Sequence, residues 1–96
     1  MVHVRVRMMG VLRDVSGRSK EEMRLSEGAN VSSAVGRLIE MYGRAFERVL
    51  IDPVVMSPMP STLILLNGVE IGNISGLETP IEDGDMIVLL PVTHGG

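Results

Sequence analysis

One long helical repeat interrupts a chain whose other apolar segments read as strands, and this limits the fold more than any other feature. Val31, Ala34, Val35, Leu38, Ile39 and Tyr42 recur at i, i+3, i+4, i+7, i+8 and i+11, while Ser32, Ser33, Arg37 and Glu40 fall on the opposite side. Asn30 is placed to cap the start of this helix, and Gly43 to end it in a left-handed conformation. Gly36 in its interior costs about 1 kcal/mol relative to Ala. Ala45, Phe46, Val49 and Leu50 predict one further short helical stretch, before Pro53, Pro58 and Pro60 force a loop. One main helix can cover only one face of a sheet, so the other face must be left bare.

The strands follow from a different period. Val2, Val4, Val6 and Met8 alternate with His3, Arg5 and Arg7, the pattern of an edge-like strand with one buried face. After a loop through Asp14, Ser16 and Gly17, Met23 and Leu25 alternate with Glu22, Arg24 and Ser26 and predict a second strand paired with the first. Thr62 to Leu66, then Asn67-Gly68, then Val69-Glu70-Ile71 is the strongest short hairpin signal in the chain. Met86 to Leu90 is a continuous apolar run after the Glu82-Asp83-Gly84-Asp85 turn, as in a central strand buried on both faces or nearly so. Pro91 then stops the ladder and releases the last five residues. The order is β-β-α-β-β-β, an α+β fold with a sheet of four to five strands. One domain is expected over residues 1–91, with a flexible tail over 92–96. The apolar last strand should leave side chains on the uncovered face, which makes that face a candidate docking surface.

Composition removes several function classes. The only aromatics are Tyr42 and Phe46, so there is no stacking platform for single-stranded nucleic acid, and a net charge of −3 is not that of a nucleic-acid binder. Eight of the nine basic residues are Arg; Lys20 is the one lysine. Without cysteine there is no thiolate nucleophile or iron–sulfur cluster, and His3 and His94 are too far apart in sequence to suggest a zinc site. No apolar run approaches membrane-spanning length, and His3, Arg5 and Arg7 break any signal-peptide pattern, so a cytoplasmic protein without membrane attachment is expected.

Conventional sites are missing as well. Lys20 is not preceded by a phosphate-loop pattern, and Gly72-Asn73-Ile74-Ser75-Gly76 lacks the Gly-x-Gly of a dinucleotide turn. Glu82, Asp83 and Asp85 read as a solvated turn, His3 as a solvent-exposed side chain, and Ser32 and Ser33 have no histidine nearby to activate them. No catalytic residue, metal site or bound cofactor is therefore assigned to this chain, which is not expected to be an enzyme on its own.

That leaves Gly95 and Gly96. At a glycine usage of about 7%, two consecutive glycines at a given place arise in roughly one chain in two hundred, so composition alone is weak support. A carboxylate on Gly96 would titrate near pH 3.3–3.7 and be ionised at neutral pH. Such a group is a poor electrophile and must be activated, for which attack on ATP to give an acyl-adenylate is the direct route. Glycines lack Cβ and can thread through a narrow channel, while Pro91, Val92, Thr93 and His94 could supply contacts with its walls. Since the chain has no nucleotide-binding motif, the ATP must be brought by another protein.

Over essentially its whole length the chain resembles the ubiquitin-like β-grasp sulfur carriers, specifically the small subunit of molybdopterin synthase and the small archaeal modifier proteins. The resemblance rests on Val11-Leu12-Arg13-Asp14 with Gly17, Leu66-Asn67-Gly68, Leu77-Glu78-Thr79-Pro80-Ile81-Glu82-Asp83-Gly84-Asp85, and Leu90-Pro91-Val92-Thr93-His94-Gly95-Gly96, in that order. It implies that a ubiquitin-activating-like adenylyltransferase activates Gly96, that a sulfur donor protein converts it to a thiocarboxylate, and that the molybdopterin synthase large subunit holds the pterin precursor that receives the sulfur. Joining Gly96 to target-protein lysines is the alternative use. A β-grasp interaction module with an incidental Gly-Gly end is the second. The chain departs from the family at His94, where a small residue is usual, at Met8-Met9, which replace aromatics, and over residues 51–61, a longer proline-containing insert.

Overall fold

The computed structural model describes residues 1–59 and 61–92. The chain runs through strand β1 (Val2–Met8), helix α1 (Gly10–Ser16), β2 (Lys20–Leu25), helices α2 (Val31–Tyr42) and α3 (Arg44–Leu50), β3 (Thr62–Leu66), β4 (Val69–Glu70) and β5 (Asp85–Pro91). Two short 3-10 turns, Ile71–Asn73 and Gly76–Glu78, bridge β4 and β5. The five strands form one mixed sheet in the order β2-β1-β5-β3-β4. β1 and β5 are parallel, and the other neighbours antiparallel. The α+β architecture and the central last strand are as the sequence predicts.

All strands but the short β4 bury alternate residues. Val2, Val4, Val6 and Met8 of β1, Met23 and Leu25 of β2, Ile64 and Leu66 of β3, and Ile87 and Leu89 of β5 share one face. Against them pack Val31, Ala34, Val35 and Leu38 of α2, Phe46 and Leu50 of α3, and Leu12 of α1. Burying side chains of this size contributes about 1.5–3 kcal/mol each. α2 begins with a reciprocal cap: the Asn30 side chain accepts from the Ser33 backbone N–H at 2.9 Å, and the Asn30 N–H donates to Ser33 Oγ at 3.1 Å. Asn67 (φ +51) and Gly68 (φ +85) make the tight turn into β4.

Four expectations are corrected. The segment read as a loop through Asp14 and Ser16 is α1, a helix without a side-chain cap and with Leu12 as its one buried residue. β1 is not at an edge, because β5 pairs along its other side. Gly43 ends α2 at the positive φ expected of it (+84), but its ψ of −164 lies outside the left-handed helical region, and from there the chain turns directly into α3. Pro91 does not stop the ladder: it pairs with Thr62, and the Val92 N–H donates to the Ser61 carbonyl at 3.0 Å.

Candidate functional site

The site is built on β5. Its neighbours β1 and β3 hold it on both sides, and near its end Leu90 pairs with Leu63 and Pro91 with Thr62. The Met9 N–H donates to the Leu89 carbonyl at 3.1 Å, which starts α1 beside the strand end. Gly10, at φ +57, lies so close that a Cβ there would stand 3.6 Å from Pro91 Cγ. Met9, Val11 and Val92 are exposed at this end. Of the predicted tail residues, the structure places Pro91 and Val92; Thr93, His94, Gly95 and Gly96 lie outside the described residues.

The side chains that alternate with the core make the open face. Met86, Val88 and Leu90 of β5 are half-buried there, so the strand is fully buried on one face only. Leu63 and Leu65 of β3 lie across from them, paired with Leu90 and Val88. These two leucines were not singled out from the sequence, because an unbroken apolar run does not say which residues face which side; the strand period, once the core partners are known, does. On the other flank of β5, Arg5 pairs with Met86 and Arg7 with Val88. The open face is thus an apolar strip beside a basic one, and the apolar strip leads to the strand end.

The remaining sequence candidates have structural roles. The Asp83 carboxylate accepts from the His3 backbone N–H at 2.7 Å, and the Asp85 carboxylate from the Glu82 N–H at 2.7 Å and the Asn67 side-chain amide at 2.9 Å. This acidic turn therefore ties β5 to β1 and to the β3–β4 turn. The His3 side chain is exposed, with Nδ1 3.9 Å from Asp83 Oδ1. Ser33 belongs to the α2 cap. Among the described residues no group of three or more His, Asp or Glu is gathered to hold a metal, and no helix is long and apolar enough to cross a membrane. What this arrangement offers is a firmly held strand whose last described residues lie next to a surface that another protein could cover.

The sequence model of the ThiS family matches residues 6–96. The chain belongs to the ThiS family. The small archaeal modifier protein 3 of Haloferax volcanii is 26% identical over 95 residues, spanning 99% of this chain and all of that one. The solution structure of the small archaeal modifier protein 1 from Methanosarcina acetivorans superposes with a TM-score of 0.84 at 29% identity, over 100% of this chain and 98% of the other. A putative molybdopterin converting factor subunit 1 from Pyrococcus furiosus shares the fold at a TM-score of 0.76 and 21% identity, over 97% of this chain and all of that one. This ThiS-family chain is accordingly a ubiquitin-like β-grasp protein of the sulfur carrier and modifier class, as its sequence motifs imply.

Proposed function

We propose that the chain is a sulfur carrier working through the carboxylate of Gly96. In a separate ubiquitin-activating-like adenylyltransferase that carboxylate attacks the α-phosphate of ATP, pyrophosphate leaves, and an acyl-adenylate forms. Sulfide-level sulfur supplied by a donor protein then attacks the acyl carbon and displaces AMP to give a thiocarboxylate. The thiocarboxylate sulfur bonds to a pterin precursor held by the large subunit of a molybdopterin synthase, and water then cleaves the acyl–sulfur bond, leaving the sulfur on the pterin and restoring the Gly96 carboxylate. The observation that carries this reading is the anchoring of β5. A strand held by β1 and β3, with Val92 still bonded to Ser61, gives the residues that follow a fixed origin from which to enter a partner's channel. The half-buried Met86, Val88 and Leu90 supply a dry surface on which that partner can seat. Intact mass spectrometry of the protein isolated from its own cells tests it. Oxygen-to-sulfur exchange at Gly96 is the expected result; an unmodified Gly96, with full activity after its deletion, would sink the proposal.

A second use of the same activated group, an isopeptide bond to target-protein lysines, is favoured by the names of the Haloferax and Methanosarcina relatives, both called modifier proteins. Branched peptides joining the Gly96 carbonyl to lysines of other proteins, without thiocarboxylate, would select it.

A further inference from the structure

The β1–β2 half of the open face is charged against itself. Arg7 stands directly opposite Lys20, and His3 opposite Arg24; only Arg5 faces an opposite charge, Glu22. All of these side chains are exposed, and among the described residues Arg5, Arg7, Lys20 and Arg24 form no ion pair. Like charges directly across a strand pair destabilise a sheet. A face that needed only to be wetted would interleave the two signs. Here four permanent cations meet Glu22 and, at the end beside His3, Asp83, while the rest of the chain holds five cations and ten carboxylates. A protein of net charge −3 thus concentrates positive potential on one strip.

The strip has a shape as well as a sign. A trough of about 550 Å3, lined by His3, Arg5, Glu22 and Arg24 among others, is followed by a smaller one of about 140 Å3 that shares Arg5 and Glu22 and adds Arg7, Lys20, Glu21, Val6 and Met86. They follow the strand direction and reach the apolar strip at Met86. Alternate residues of β1 are about 6.6 Å apart, the same repeat as alternate residues of any extended peptide. Guanidinium groups at that spacing can each take a carboxylate in bidentate fashion.

We propose that this strip docks an extended acidic segment of a partner protein, its alternate carboxylates reaching Arg5, Arg7, Lys20 and Arg24. A protein fits better than a nucleic acid, because neither aromatic is available on this face for base stacking, Phe46 being in the core and Tyr42 on α2. Naming that partner as the one that takes the tail rests on the carrier reading; the charge recognition does not.

The test is a titration of the isotope-labelled chain with a deca-glutamate peptide at low salt, followed by backbone amide NMR. Shifts should concentrate in β1 and β2, and the affinity should fall as salt is raised. Arg5→Glu with Arg7→Glu should weaken binding by about tenfold or more. Arg44→Glu with Arg48→Glu, an equal change in net charge on exposed positions of α3, should change it by less than about twofold. Should the first pair fail to fold, Lys20→Gln with Arg24→Gln takes its place. Deleting Gly95 and Gly96 should leave binding unchanged, so this result is independent of the mass spectrometry above. Absence of shifts, equal loss in both reversed pairs, or tighter binding of a ten-nucleotide oligothymidine than of the peptide would each overturn the proposal.

Discussion

Thr62 brings a hydroxyl into the core, 4% exposed, and among the described residues nothing bonds to its Oγ1. An unmet buried hydroxyl costs about 1–3 kcal/mol, so Thr62→Val, which keeps the branched shape, should raise the unfolding free energy by about 1 kcal/mol. A higher urea midpoint at unchanged slope is the expected reading. Tyr42 is the opposite case, a polar group that has its partner: its hydroxyl donates to Glu21 Oε2 at 2.5 Å and joins α2 to β2. Its pKa is pushed up to about 12, first by burial and then by the hydrogen bond and charge of Glu21, with Arg18 acting the other way. The folded state therefore favours the protonated phenol, whereas the unfolded chain loses that proton near the usual 10. This contribution to stability is whole below about pH 10 and is lost as the pH rises towards 12. Tyr42→Phe should cost about 1 kcal/mol at neutral pH and flatten the alkaline limb, measurable as melting temperature against pH.

Helix α2 is where sequence and structure agree most closely and where substitutions have the clearest expected outcomes. A Cβ added at Gly36 meets nothing within 4 Å, and the residue lies exposed in mid-helix, so Gly36→Ala should stabilise the fold by about 0.5–1 kcal/mol. Asn30→Ala removes the side-chain acceptor for Ser33 and should cost about 1 kcal/mol. Denaturant titration reads both. The helix was legible because its buried stripe is complete in the sequence and its cap residues are local to it. α1 was not, since one buried leucine makes no stripe and no side chain caps it; packing of Leu12 into the core, not local preference, decides that segment. The interior position of β1 was hidden for another reason. Its outward residues are charged whether the next strand is present or absent, and parallel pairing to a strand some 80 residues later leaves no local mark. At the site, the sequence identified the open face; of the predicted tail, all beyond Val92 lies outside the described residues. The sequence did not identify the closing bond from Val92 to Ser61, which depends on where β3 begins.

At the level of the whole molecule, one face is a core and the other is a surface prepared for contact. Val88→Asp, half-buried between Arg7 and Leu65, should leave the chain folded, because it touches the open side and its new carboxylate meets Arg7. On the carrier reading it should raise the KM of the activating enzyme for this protein by about tenfold with little change in kcat, the loss expected for uniform binding. Arg7→Glu gives a trade of the opposite kind. It replaces a like-charged pair by an opposite-charged one facing Lys20, so it should gain about 0.2–1 kcal/mol of stability while weakening acidic-peptide binding. The parallel pairing of β1 with β5 also bears on how the protein is made. Synthesis at roughly 5–20 residues per second separates the first strand from the last by about 4–17 seconds. By the end of that interval β1 to β4 and the helices have been made but the middle strand of the sheet has not, and apolar residues of β1 and β3 need cover that only the final strand provides. A ribosome stalled before Asp85 would therefore hold an unfinished sheet exposed to chaperones and proteases, so the strand at the centre of the sheet, made last, is the one that commits the chain to its folded state.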